Sequence, residues 1–173
     1  MRKLMGVVLA AVLLASAISA AAATDGLNRK QPPRLRLLHK GEIVQRSHPW
    51  SYCWSYSTSD GGGTGMCADG FPRYPRAARV NAPARLVLRI PYQAEPQRVD
   101  LTAHRLIVRH EGWDESVGRG EDIAYRLKPH RERGHITAWD VIFRVTEPLR
   151  HYYLDVDARL RQGDAAYALH LRT

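Results

Sequence analysis

Regular alternation between apolar and polar side chains is the feature of this chain that most restricts its fold. Residues 152–158 and 165–171 place an apolar side chain at every second position, and Gln162-Gly163-Asp164 separates the two runs as a turn. The same pattern recurs over much of the segment 85–145, where no window has the period of a helix. Alternation with a period of two is typical of strands that bury one face. Residues 34–173 are therefore predicted to form one all-β domain, an antiparallel β-sandwich of about seven to nine strands.

The amino terminus has the composition of a secretory signal peptide. Two basic residues precede an uncharged apolar run, Met5–Ile18, and Ala20-Ala21-Ala22-Ala23 then offers the small residues that a signal peptidase requires. We predict that residues 1–23 form a signal-peptide helix and that cleavage follows Ala22 or Ala23. The sandwich would then belong to an exported protein.

An uncleaved membrane anchor is the alternative interpretation of this segment. The apolar run has about 14 residues, fewer than the ~20 that a helix needs to cross a bilayer. Because no cysteine lies beside the predicted cleavage site, no thiol is available there for lipid attachment. We therefore expect a secreted, extracytoplasmic protein without a transmembrane segment in its mature form, and a flexible lead-in over residues 24–33.

The chain is strongly basic, with a formal net charge of +9, of which Arg2 and Lys3 carry two charges. In an exported protein this charge favours anionic partners over nucleic acid, so we predict an envelope protein, a glycan or an anionic wall polymer as the partner. The alternative is that the charge reflects composition alone, because the arginines are scattered along the sequence rather than clustered.

Cys53 and Cys67 are the two cysteines of the chain. An even number in an oxidising compartment predicts a disulfide, which would close a loop of about 15 residues and contribute about 3 kcal/mol in the chain-entropy model. The alternatives are a zinc site with His39 or His48, a catalytic thiol, and two free thiols. The zinc site lacks a Cys-x-x-Cys pair, and the catalytic thiol lacks a defined histidine partner.

An aromatic segment surrounds the first cysteine and leads into a glycine-rich stretch, residues 60–65, which predicts a loop closed by the two cysteines. Aromatic side chains on a rigid loop bind ligands at low entropic cost. The candidate ligand-binding residues are Trp50, Tyr52, Trp54, Tyr56 and Phe71. Trp54 is also expected to pack against the disulfide.

The arrangement Tyr52-Cys53-Trp54, a glycine-rich gap, then Cys67-Ala68-Asp69, resembles a family of uncharacterised secreted or lipid-anchored bacterial proteins with a Tyr-Cys-Trp…Cys-x-Asp motif. The end of the chain is similar to the closing hairpin of that family. The resemblance covers residues 50–70 and 148–173. It implies an immunoglobulin-like β-sandwich and no known activity.

Two residues of this closing hairpin are assigned structural roles. Tyr152 begins a strand and is placed like the tyrosine of a tyrosine corner, with its ring at the edge of the core and its hydroxyl on a backbone group. Gly163, followed by Asp164, supplies the conformation and the side-chain acceptor that a tight turn favours.

No pattern of catalytic or metal-binding residues is evident, so we predict no catalytic residue, no metal and no cofactor. The histidines lack metal-ligand spacing, and the serines lack a Gly-x-Ser-x-Gly motif. Asp155 and Asp157 share a strand face about 7 Å apart, as the polar side of an amphipathic strand requires. His110–Glu115, an acidic and aromatic loop, is a further candidate ligand tip.

Three functional hypotheses follow from these observations. The leading one is a non-enzymatic binding or adhesion module at the cell envelope. The second is a secreted inhibitor of a hydrolase, in which the loop closed by the cysteines enters the cleft of its target. The third is an enzyme with an unrecognised site, which predicts a deep pocket with several converging polar groups.

Overall fold

Fourteen β-strands account for the fold of the residues that the structure describes. The computed structural model describes residues 29–148 and 150–173, which contain no helix and hence none that could span a membrane. The strands are β1 (Leu35–His39), β2 (Glu42–Ser47), β3 (Pro49–Ser57), β4 (Gly63–Ala68), β5 (Ala78–Arg79), β6 (Ala84–Ile90), β7 (Arg98–His104), β8 (Leu106–Arg109), β9 (Asp114–Val117), β10 (Glu121–Asp122), β11 (Tyr125–Glu132), β12 (His135–Val145), β13 (His151–Leu160) and β14 (Gly163–Arg172). The predicted signal-peptide helix, its cleavage site and residues 24–28 of the predicted lead-in lie outside the described residues.

The strands form two main sheets and one separate hairpin. One sheet has five strands in the order β11-β12-β6-β1-β2. The larger sheet has the order β10-β7-β13-β14-β3-β4, with the short β5 beside the end of β14. Neighbouring strands are antiparallel, except that β5 runs parallel to β14. The predicted all-β class is confirmed, and the architecture is consistent with a β-sandwich.

One apolar core joins the two sheets because alternate residues of the central strands point into it. Leu86, Leu88 and Ile90 of β6 face the core from the five-stranded sheet, and Leu154 and Val156 of β13 face it from the larger sheet. All five side chains have 0% exposure. This is the inward half of the alternation that the sequence displays, with the outward half left polar.

The sandwich has more strands than the about seven to nine that the alternation predicted. The additional strands include short pairings such as β5 and β10, whose two residues each are too few to produce a pattern. The glycine-rich segment also differs, because Gly63–Ala68 forms strand β4 against β3 instead of a loop. The hydrogen bonds between paired strands join backbone groups only, so glycine residues, which have no side chain, can form them.

Tyr152 has the predicted structural role, whereas Gly163 has the predicted positive φ but lies in strand β14, after a turn formed by Arg161 and Gln162. The Tyr152 ring is buried, and its hydroxyl accepts a hydrogen bond from the backbone N–H of Glu147 at 3.3 Å. Gly163 begins β14 with a φ of +150°, and a Cβ at this position would lie 1.9 Å from the carbonyl oxygen of Cys53. Glycine is therefore required here because β3 passes directly against the start of β14.

Residues 29–33 lie against the sandwich. The carbonyl oxygen of Arg29 accepts hydrogen bonds from Trp54 Nε1 at 2.7 Å and from Gln162 Nε2 at 3.1 Å. The Tyr167 hydroxyl donates to the carbonyl oxygen of Pro33 at 2.9 Å. The contacts of the domain thus extend to Arg29, five residues before the start that the alternation suggested.

Candidate functional site

Three of the four aromatic residues of β3 share one face of the strand. Tyr52, Trp54 and Tyr56 occupy alternate positions, and Tyr52 and Tyr56 are half-buried against the core. The register between β3 and β14 shifts at Trp50, which is not among the residues packed against this core. The Trp54 ring packs edge-on against Tyr92, with 6.0 Å between the ring centroids. This face of β3 is therefore directed mainly into the sandwich.

Trp54, a candidate ligand-binding residue, is only 1% exposed, so its side chain is not accessible to a ligand. Cys53, the next residue, is exposed on the opposite face, so Trp54 points towards Tyr92 and away from the disulfide. The sequence contained the signal for this placement. Aromatic residues that alternate with Ser51, Cys53 and Ser55 have the period of a strand with one buried face. Of the candidate set, Phe71 is the most exposed residue.

Cys53 and Cys67 form the predicted disulfide, with their Cα atoms 4.1 Å apart. The two residues lie directly opposite each other in the ladder between β3 and β4. The bond therefore fastens two paired strands together, and the turn that connects them spans only residues 58–62. The zinc and free-thiol interpretations do not apply, since no cysteine remains free.

An exposed group of aromatic rings forms where segment 70–75 meets the β8–β9 hairpin. The Phe71 side chain is 69% exposed, and its ring centroid lies 5.4 Å from that of Trp113. Trp113 in turn stacks on His110, with centroids 4.0 Å apart and an interplanar angle of 12°. We call Trp50, Phe71, Trp113 and His110 the aromatic surface. It combines one end of the predicted aromatic segment with the predicted ligand tip at His110–Glu115.

A concavity of about 270 Å³ lies between Trp50 and Phe71, and Arg46 and Arg73 also line it. The indole Nε1 of Trp50 is buried and has no hydrogen-bond partner among the described residues. A buried donor without a partner is costly and uncommon in folded proteins. The concavity therefore offers aromatic carbon and two cations.

Buried Asp114 holds the two parts of the aromatic surface together. Its carboxylate accepts a hydrogen bond from the Tyr74 backbone N–H at 2.8 Å, and its own N–H donates to the Pro72 carbonyl oxygen at 2.9 Å. A Cβ at Gly70 would lie 2.6 Å from the Trp50 carbonyl oxygen, so this approach needs glycine. The segment that carries Phe71 and the hairpin that carries Trp113 are thus hydrogen-bonded to each other through Asp114.

A hydrogen-bonded network on the outer face of the larger sheet holds segment 70–75 against strand β13. The Tyr74 hydroxyl donates to Asp155 Oδ1 at 2.6 Å, and His104 Nε2 lies 3.1 Å from Asp155 Oδ2. Burial raises the pKa of Asp155, although both partners oppose this shift, and burial also raises the pKa of Tyr74. Burial, followed by the charge of Asp155, raises the pKa of Asp157. The two aspartates share a strand face as predicted, and Asp155 serves to position Tyr74.

His170 is a buried histidine in the same region. Its Nε2 lies 2.8 Å from His151 Nδ1, and its Nδ1 lies 3.1 Å from the Pro75 carbonyl oxygen. Burial lowers the pKa of His170, and the charge of His151 lowers it further. The unfolded chain therefore binds this proton at a higher pH than the folded chain does. We expect the free energy of unfolding to fall as the pH is lowered from about 7.5 to about 5.5, through the ordinary histidine pKa of about 6.5.

Urea unfolding at the two pH values measures this dependence. We expect His170→Gln to weaken it, because the variant has no proton to bind at this position. His135→Gln, at an exposed position at the start of β12, is the matched control and should leave the dependence as in the original protein. Equal pH dependence in the two variants would contradict the assignment to His170.

A larger cavity of about 810 Å³ contains Arg105, Glu121, Glu147 and Tyr152 among its lining residues. Arg105 is paired with Glu121 at 2.9 Å and with Glu147 at 3.4 Å, and its guanidinium lies 4.6 Å from the centroid of the Tyr152 ring. The charges of Arg105, Glu121 and Glu147 are therefore already paired within the fold.

Arg46 and Arg73 had no sequence signal as site residues, because neither belongs to a motif and only the folded chain brings them beside the aromatic rings. Within residues 29–148 and 150–173, no group of three or more His, Cys, Asp or Glu side chains is arranged to hold a metal ion. Comparisons of the chain with models of protein families, with curated proteins and with solved structures gave no match.

Proposed function

We propose that this protein is an exported, non-enzymatic binding module that contacts a ligand of the cell envelope through its aromatic surface. The observation that carries the proposal is the exposed Phe71 ring, which continues into the stacked pair Trp113 and His110. Single exposed apolar residues are ordinary on protein surfaces, whereas contiguous exposed aromatic carbon is a common property of binding sites.

The support beneath these rings favours binding. Asp114 is hydrogen-bonded to the backbone of both segments that carry them, so little backbone ordering is needed when a ligand binds. Arg46 and Arg73 line the adjoining concavity and provide donors for the polar groups of a ligand. The site therefore suits a ligand that combines flat, weakly polar surface with hydrogen-bond acceptors, as a glycan does.

Cosedimentation of the purified protein with cell-wall material and with purified envelope polysaccharides tests this proposal. We expect Phe71→Ala/Trp113→Ala to weaken binding by about tenfold or more, since buried aromatic anchors dominate binding energy. Leu106→Ala is the control, because Leu106 is 65% exposed and lies outside the aromatic surface. If the double variant retains every interaction of the original protein, the proposal fails.

Inhibition of a secreted hydrolase is the second candidate function, and the disulfide-linked β3–β4 hairpin favours it. The hairpin ends in an exposed turn in which the Thr58 N–H donates to the Gly62 carbonyl oxygen at 2.8 Å. The Thr58 hydroxyl also hydrogen-bonds to Asp60. A rigid, exposed tip of this kind can enter a cleft with little loss of entropy. Inhibition of purified hydrolases that Phe71→Ala/Trp113→Ala leaves unchanged, but Thr58→Ala/Asp60→Ala abolishes, would favour this function over envelope binding.

A further inference from the structure

Four arginine residues line one small cavity at the start of β1, three of them from residues 29–36 and the fourth from β2. Arg29, Arg34, Arg36 and Arg46 enclose about 320 Å³ together with Pro91. Among the residues that the structure describes, none of these arginines forms an ion pair with a carboxylate. We call this site the arginine cavity. The cavity thus gathers arginines of β1, β2 and the segment before β1.

The strand register makes this group of arginines electrostatically unfavourable when no anion is bound in the cavity. Arg36 on β1 is directly opposite Arg46 on β2 and directly opposite Arg89 on β6. Like charges in directly opposed positions destabilise a sheet. Arg89 is relieved by Asp140, which accepts from it at 2.7 Å, but Arg36 and Arg46 have no such carboxylate within the described chain. A bound anion would relieve this repulsion through charge-assisted hydrogen bonds from the guanidinium groups.

Arg46 also connects the arginine cavity with the aromatic surface. It lines both the arginine cavity and the concavity that contains Trp50 and Phe71. A ligand that fills both places must carry acidic groups and, within the reach of one arginine side chain, rings that present an apolar face of C–H groups. Acidic sugars joined in a chain have both properties.

We propose that the arginine cavity binds the acidic groups of an anionic polysaccharide whose neighbouring sugar rings reach the aromatic surface. This inference rests on the proposed function, since it names the ligand class of the same module. Single-stranded nucleic acid also carries anionic groups, but it is held by successive free aromatic faces. Trp113 and His110 are already stacked on each other, so one face of each of these two rings is not free to stack on a base.

Calorimetric titration of the full protein with polygalacturonate oligosaccharides, at about 0.1 M salt, tests the inference. We expect Arg34→Gln/Arg36→Gln to weaken binding by about tenfold or more, because two charge-assisted contacts are lost. Arg119→Gln/Arg133→Gln removes the same net charge outside the cavity and should weaken binding less than about threefold. Equal losses in the two double variants overturn the inference, because they indicate attraction to the net charge alone.

Two other probes decide the ligand class. A neutral maltooligosaccharide should bind at least about tenfold more weakly than polygalacturonate of equal length, since it offers no anion to the cavity. A single-stranded DNA oligonucleotide of equal charge should also bind more weakly. Equal or tighter binding of either probe overturns the assignment to an anionic polysaccharide.

Thermal unfolding separates a binding role of the arginines from a structural one. Because Arg36 faces like charges, Arg34→Gln/Arg36→Gln should leave the melting temperature unchanged or raise it while affinity falls. A lowered melting temperature together with the loss of binding contradicts the inference. If polygalacturonate binding depends on the arginine pair but not on Phe71 and Trp113, the arginine cavity stands and the aromatic contact of the proposed function fails. The reverse result rejects the arginine cavity alone.

Discussion

Replacement of Trp54 by alanine is expected to lower the free energy of unfolding by about 3–5 kcal/mol, as for other large buried side chains. The indole ring is 1% exposed and packs edge-on against Tyr92. Its Nε1 also donates to the Arg29 carbonyl oxygen at 2.7 Å, so the substitution removes a contact with the segment before β1. Urea unfolding followed by circular dichroism measures the change.

Two further substitutions divide this effect into its parts. Trp54→Phe keeps most of the apolar volume but loses the hydrogen bond, so we expect a smaller loss than for Trp54→Ala. Phe71→Ala, at an exposed position, is expected to change the free energy of unfolding by less than about 0.5 kcal/mol. If Trp54→Ala is as mild as Phe71→Ala, the placement of Trp54 in the core is wrong.

Removal of the disulfide is expected to have the second-largest effect. Cys53→Ala/Cys67→Ala should lower the free energy of unfolding by about 3 kcal/mol, because the unfolded chain regains the freedom of a loop of about 15 residues. Denaturant titration of the double variant, compared with the unreduced protein, measures this loss. Titration of the original protein in the presence of a reductant should reproduce it, and an unfolding midpoint that is insensitive to reductant contradicts the prediction.

The class of the fold could be predicted because the longest strands carry the alternation most clearly. β13 buries every second residue, β14 carries its large apolar residues at alternate positions, and a turn at Arg161 and Gln162 separates the two strands. The glycine-rich strand β4 could not be predicted this way. Its pairing depends on backbone groups of β3 and on the bond between Cys53 and Cys67, neither of which appears in the pattern of side chains.

The candidate site was predicted only in part, for a different physical reason. Phe71 and the His110–Glu115 loop were candidates, but their contact requires the hydrogen bonds of Asp114, which join segments that are distant in sequence. Arg36 faces Arg46 through the local hairpin of β1 and β2, whereas its position opposite Arg89 depends on the placement of β6 beside β1. Strand order follows from long-range pairing, and a single sequence does not reveal it.

The position of β4 at one end of the larger sheet has a consequence for self-association. A terminal strand exposes backbone groups on one side, and these can serve as a template for a strand of another molecule. β4 is short and rich in glycine, so it offers few side chains for an intermolecular zipper. β3, by contrast, carries a row of aromatic residues, and the covalent bond to β4 keeps its edge covered. We therefore expect the disulfide to limit edge-to-edge association of folded molecules, apart from its contribution to the free energy of unfolding.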